Sequence, residues 1–161
     1  MAVNEAGISS LGVRVGYGVG TEKPTAFTWL ERCNAIGGIS LETEQIDASA
    51  LEDEVSRYIQ GRQDTGGTWE LTFNITDEVV DQLEALIAAY SGMTTGQRMW
   101  FEVWSPQMTK AFFVIAQVPP NIPMPEFSQN ELQTVAITLT IEEYKGMDEG
   151  IKPVEATTGG A

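Results

Sequence analysis

Two alternating segments separated by a long acidic stretch set the first limit on this fold. In Ile39-Ser-Leu-Glu-Thr-Glu, Ile39 and Leu41 fall on one side and Ser40 and Glu42 on the other. In Trp69-Glu-Leu-Thr-Phe-Asn-Ile, Trp69, Leu71, Phe73 and Ile75 fall on one side and Glu70, Thr72 and Asn74 on the other. A period of two marks a half-buried strand, which predicts strands over 39–44 and 69–75. The stretch 45–66 between them is far longer than a hairpin turn requires, and loops of that size are functional or disordered. It is acidic, ends at Gly66-Gly67, and carries Leu51, Val55, Tyr58 and Ile59 as its apolar anchors. Their spacing predicts a short helical turn on contact with a partner. So small an apolar set predicts a mobile segment in the free chain.

The remaining pattern is that of a β protein with one helix. Val13, Val15 and Tyr17 alternate weakly within a glycine-rich start, so residues 1–24 read as an N-terminal arm or partly ordered strand. Ala26 to Arg32 reads as a short strand with Phe27 and Trp29 on one face, and Gly37-Gly38 as a turn or bulge. Val79, Val80, Leu83, Leu86, Ile87 and Tyr90 form a helical stripe over 76–91. Thr76 serves as its N-cap, Asp77 and Glu78 suit the positive first turn, and Ser91-Gly92 stops it. Strands follow at 99–104 and 111–118 around the turn-rich Ser105-Pro106-Gln107-Met108-Thr109, then a proline-broken loop over 119–125. In the last strand, 132–142, Val135, Ile137, Leu139 and Ile141 face a core, and Thr134, Thr138, Thr140 and Glu142 face away. The sum is a mainly β chain, an antiparallel β-sandwich or barrel flanked by one amphipathic α-helix. Residues 25–145 form its body and 146–161 a flexible tail.

Composition removes several classes of function. The net charge of −14 across 161 residues argues against a nucleic-acid binder, which needs clustered Lys and Arg to neutralise phosphate. A single Cys33 allows no internal disulfide and points to a reducing compartment. No secretory leader or apolar stretch of bilayer length is read in the chain. There is no histidine, which removes the commonest general base and the commonest metal ligand. One Cys cannot build a zinc site, and Gly16-Tyr-Gly-Val-Gly lacks the lysine and helix of a phosphate loop. No catalytic residue, metal site or cofactor is expected. Glu42 and Glu44 share a strand face and have the look of a hydrolase pair, but carboxylates in this density are solvated faces by default. Trp69, Trp100 and Trp104 lie in strand patterns and read as core before they read as a sugar-binding platform. Cys33 has no histidine partner and reads as a small semi-buried residue.

The layout from about residue 7 to residue 145 resembles the major tail tube protein of long-tailed phages. The likeness lies in the glycine-rich start and in Phe27-Thr-Trp-Leu. It continues through Ile46-Asp-Ala-Ser-Ala-Leu-Glu-Asp followed by Tyr58-Ile-Gln-Gly, the strand from Trp69 to Ile75, the helix after it, and the closing strand from Thr134 to Ile141. The resemblance implies a non-enzymatic virion protein in which six subunits form a ring and rings stack into a tube. Inner sheets would join around a lumen that passes DNA without binding it. It implies a long inter-subunit loop at 45–66, with Leu51, Val55, Arg57, Tyr58, Ile59 and Arg62 as its contacts. A lumen lined by Glu42, Glu44, Glu70, Thr72, Asn74, Thr138, Thr140 and Glu142 would repel phosphate. Implied partners are further copies of the chain and the tape measure, tail terminator and tail tip proteins. The place would be the tail tube, after assembly in the host cytoplasm. The alternatives are an inner-tube subunit of a contractile tail or injection device, which shares the fold, and a monomeric carbohydrate-binding β-sandwich.

Overall fold

The computed structural model describes residues 11–153 together with Gly7 and Ser9. The chain runs β1 (Arg14–Gly20), β2 (Thr28–Trp29), β3 (Cys33–Ile36), β4 (Glu42–Asp47), β5 (Tyr58–Asp64), β6 (Thr68–Asn74), α1 (Asp77–Ser91), β7 (Arg98–Trp104), β8 (Lys110–Gln117) and β9 (Thr134–Glu149). A seven-stranded antiparallel sheet has the order β2-β1-β7-β8-β9-β6-β3, and β4 and β5 form a separate two-stranded sheet.

One face of the large sheet is the core face. Val15 and Tyr17 on β1, Met99 and Phe101 on β7, and Val114 and Ala116 on β8 meet there. Val135, Ile137 and Leu139 on β9 join Trp69, Leu71 and Phe73 on β6. Helix α1 lays Val79, Leu83 and Leu86 onto this face. Each such side chain contributes about 1.5–3 kcal/mol by leaving water. Thr76 caps the helix as expected, its hydroxyl accepting from the Val79 amide at 3.1 Å, and the Gly92 amide closes the other end on the Ala88 carbonyl.

The sheet is rolled by the short segment that joins its two edges. The Leu30 amide donates to the Val15 carbonyl on β1, and the Asn74 amide donates to the Arg32 carbonyl from β6. Arg32 turns the chain between these contacts with φ +59°. The Gln82 side chain of α1 binds both the amide and the carbonyl of Glu31, at 3.1 and 2.8 Å. No ladder joins β2 to β3, so the roll does not close into a barrel. The mainly β antiparallel class with a single flanking helix is therefore as expected.

Three expectations change. Residues 14–20 are not an arm; they form an interior strand between β2 and β7. Gly16 and Gly18 sit on its outer face because a Cβ at Gly16 would lie 3.0 Å from the Trp29 ring, and one at Gly18 would lie 3.1 Å from Pro24. Of the 1–24 reading, residues 1–6, 8 and 10 lie outside the described residues. The stretch 45–66 is not one irregular loop, because its two ends pair as the β4–β5 hairpin. Ile46 stands opposite Ile59 and Asp47 opposite Tyr58, so extended pairing replaces the helical spacing. The chain does not become a tail at 146. Strand β9 continues to Glu149 along β8, with register shifts between Phe113 and Val114 and between Ile115 and Ala116 on β8. Residues 154–161, the remainder of the expected tail, lie outside the described residues.

Candidate assembly surfaces

The β4–β5 hairpin interrupts the connection between β3 and β6, which pair with each other. It therefore projects as an arm from a two-stranded root. At about 3.3 Å per residue, its strands carry the tip roughly 20 Å from that root. No residue from Glu42 to Asp64 is buried. Consecutive left-handed glycines, Gly66 and Gly67 with φ +84° and +83°, return the chain to β6. The tip is ordered by its own polar groups. The Ala48 amide donates to the Arg57 carbonyl, the Ser49 amide to Asp47 Oδ1, the Ala50 amide to Asp53 Oδ2, and the Arg57 amide to Ser49 Oγ, all at 2.8–2.9 Å. The Ser49 hydroxyl, and then its amide, hold the carboxyl of Asp47 below its usual range. Arg57 pairs with Asp53 at 3.3 Å. The apolar side chains of the arm are left uncovered. Leu51 and Val55 are 110% and 76% exposed, and Tyr58 and Ile59 remain more than half exposed. A loop that folded onto its own domain would bury those four side chains.

The outer face of the large sheet divides into two chemically different halves. Over β3, β6 and β9 it is polar and open. Glu70 stands opposite Thr138, Thr72 opposite Ala136, Asn74 opposite Thr134, and Thr68 opposite Thr140. Asn34 of β3 donates to Asn74 Oδ1 at 2.9 Å. The band ends in a charge cluster, where Arg98 meets Glu142 at 3.5 Å and Glu143 at 3.1 Å, Lys145 meets Glu143 at 2.8 Å, and Gln117 donates to Glu142. Hydrogen bonds from Lys145 and Arg98 hold the Glu143 carboxyl below its usual range.

Over β1, β7 and β8 the same outer face is apolar and covered. Phe27 packs near Trp29 and Phe113, and Trp29 meets Trp104 edge-on at 6.2 Å. Lys23 lies 4.0 Å over the Phe113 ring, and Arg14 and Lys145 lie over Trp29 and Trp100. Among these rings Glu102 is fully buried. Its Oε1 accepts from the Ile151 amide at 2.6 Å, while Oε2 and the neighbouring Trp100 Nε1 have no partner among the described residues. Burial pushes this carboxyl up to about 7, against the lowering effects of the Ile151 hydrogen bond and the Lys23 charge. Burial likewise pushes the Cys33 thiol up to about 11.

The residues read as lumen-lining fall in two places. Glu70, Thr72, Asn74, Thr138, Thr140 and Glu142 share the open outer face of β6 and β9. Glu42 and Glu44 do not join them. They lie on the arm, beside Arg62 and Asp64 in a shallow polar recess, because β4 pairs with β5 and not with the large sheet. Leu51, Val55, Arg57, Tyr58, Ile59 and Arg62 all lie on the arm as one exposed unit. Two features escaped the sequence reading. One is Glu102, whose signal was its alternation with Trp100 and Trp104 on one strand face. The other is the 119–132 loop, which exposes Met124, Phe127 and Leu132. Among the described residues no His, Cys, Asp and Glu cluster is arranged to hold a metal ion, and no helix is long and apolar enough to cross a membrane.

No protein-family model matches the chain, and no curated protein matches its sequence. Solved structures do match. One is a chain from the cryo-EM structure of an extracellular contractile injection system, the PVC sheath/tube terminator in its extended state. The match has a TM-score of 0.56 at 15% identity and covers 91% of this chain and 99% of that one. Another is a chain from the cryo-EM structure of the anti-feeding prophage (AFP) baseplate, with a TM-score of 0.45 at 12% identity, covering 88% and 94%. The first of these shows a shared fold over nearly the whole length.

Proposed function

We propose that this chain is a structural, non-enzymatic subunit of a phage-type tail that assembles with copies of itself into six-membered rings stacked as a tube. The observation that carries this reading is the arm. It is a hydrogen-bonded hairpin with no buried residue that leaves Leu51, Val55, Tyr58 and Ile59 exposed. Such a device is useful only when a second surface covers it. In this reading the arm docks on an adjacent subunit or ring through Leu51, Val55, Tyr58 and Ile59. The open half of the outer face, with Glu70, Thr72, Asn74, Thr138, Thr140 and Glu142, lines the lumen. Uncharged hydroxyls and carboxylates let a polyanion pass without sticking. The tape measure, terminator and tip proteins are the expected partners within the tail.

The shared fold with the PVC terminator chain supports a second reading, a ring that ends a tube instead of propagating it. Both readings predict rings, and only the first predicts stacking. The test is negative-stain microscopy and light scattering of the purified chain over a wide concentration range. Tubes that lengthen with concentration support a tube subunit, and isolated rings support a terminator. A monomer at every concentration and salt tested overturns both.

A further inference from the structure

We propose that the Glu102 carboxyl is a proton-operated clasp for the strap Gly150–Pro153, which lies against the outer face of β7 and β8 and opens when that carboxyl ionises. The strap begins where β9 ends and is fastened at consecutive amides. Gly150 N–H donates to the Thr109 carbonyl at 3.2 Å, and Ile151 N–H donates to Glu102 Oε1 at 2.6 Å. Its backbone lies flat on the sheet. A Cβ on Gly150 would stand 3.2 Å from Trp104 and 3.4 Å from Ala111. The strap thus seals the carboxyl from water on one side, while the segment bearing Lys23, Phe27 and Trp29 covers the same face.

Little around Glu102 stabilises a charge. The residue opposite it on β1 is Gly16, and on β8 it is Phe113. Lys23 is the cation facing it, but its ammonium is held by Asp148 at 3.1 Å and by the Glu149 carbonyl at 3.2 Å. Arg14 lies over Trp29, and Lys145 lies over Trp100 with Glu143 as its partner. Among the described residues Oε2 meets no donor. An ionised Glu102 therefore keeps one hydrogen bond and loses its water, which is why the closed state holds the proton up to about 7. Lifting the strap returns water to the carboxylate and its ordinary acidity.

The sign follows. An acid group with a raised pKa in the closed state favours closure below its ordinary range. It loses that contribution as pH rises through about 7 and changes nothing further above. A difference of about 2.5 pH units allows the open-to-closed ratio to rise by up to about 300-fold across that window. The device is independent of assembly, since strap and clasp belong to one chain.

The test is amide exchange by NMR on the full chain from pH 4.5 to 8, with rates divided by their intrinsic values. In the natural protein, protection at Gly150 and Ile151 should fall by tens- to hundreds-fold between pH 4.5 and 7.5, and level off. In Glu102→Gln it should stay high and flat. The Glu102 carboxyl ¹³C signal, followed in the natural protein, should titrate within the same window. Ile151→Pro removes the clasped amide and should leave the Gly150 amide unprotected at every pH. A flat profile in the natural protein, an equal fall in Glu102→Gln, or a carboxyl titrating in the ordinary glutamate range would each overturn the proposal.

Discussion

Replacing Leu51 and Val55 together by serine separates an assembly arm from a surface loop. In the free subunit the change removes almost nothing, because Leu51 is 110% and Val55 76% exposed and neither stands opposite a residue in the β4–β5 ladder. The ordering of the tip rests on Asp47, Ser49, Asp53 and Arg57, which remain. Subunit stability should therefore stay within about 0.5 kcal/mol. In an assembly, cover of the two side chains is worth about 3 kcal/mol or more per docked arm, at about 1.5 kcal/mol or more for each. That corresponds to about a hundredfold rise in the concentration at which rings or tubes first appear. Thermal unfolding of the dilute protein and pelleting of assemblies across concentration measure the two quantities. A critical concentration that moves less than about threefold would refute the arm as a docking element. Lost subunit stability alongside unchanged assembly would show that the tip packs on its own domain.

The open face is tested by Glu70→Lys with Thr138→Lys, which stand opposite each other. Assemblies should still form but should bind DNA in low salt and release it as salt rises, readable by co-sedimentation. Gly16→Val should destabilise the subunit by about 1–3 kcal/mol in urea unfolding, because its side chain enters the Trp29 ring. Thr76→Ala removes the acceptor for the Val79 amide and should cost about 1 kcal/mol in the same assay. The Cys33 thiol, pushed up to about 11, should react with a disulfide reagent at pH 8 far more slowly than a free cysteine and regain that rate on unfolding.

What the sequence disclosed follows which strands bury one face. Trp69, Leu71 and Phe73 on β6 and Val135, Ile137 and Leu139 on β9 alternate because their partners across the ladder are apolar on one side and polar on the other. The helix was legible from its stripe and its threonine cap. Strand β1 was obscured because Gly16 and Gly18 on its outer face admit Trp29 and Pro24, leaving Val15, Tyr17 and Val19 to alternate with glycines. Strands β4 and β5 were obscured for the opposite reason. Neither face of the arm is buried, so no period of two is imposed on Thr43, Gln45, Gln60 or Gln63. The far half of β9 was read as tail because two register shifts along β8, with φ +79° at Gly146, break its alternation after Ile141. Glu102 was hidden as well, since a carboxylate between Trp100 and Trp104 reads as solvent-facing until the covering segment is seen.

The charge of the arm limits what it can meet. A two-stranded sheet has two free edges, and exposed edges invite pairing between copies. Glu42, Glu44, Asp47, Glu52, Asp53, Glu54 and Asp64 outnumber Arg57 and Arg62 on this hairpin, so two arms brought edge to edge repel each other. Arm-to-arm pairing would be the isologous contact of a two-fold dimer. With that contact disfavoured, the proposed docking of the apolar tip uses a different surface on the next copy. A contact between two different surfaces leaves each copy with one of each still free. Repetition of such a contact closes into a ring or continues as a filament, and does not stop at two. The arm's acidity and its exposed leucine, valine, tyrosine and isoleucine thus act together. In the proposed assembly, one disfavours the symmetric arm-to-arm dimer and the other supplies the attraction between unlike surfaces.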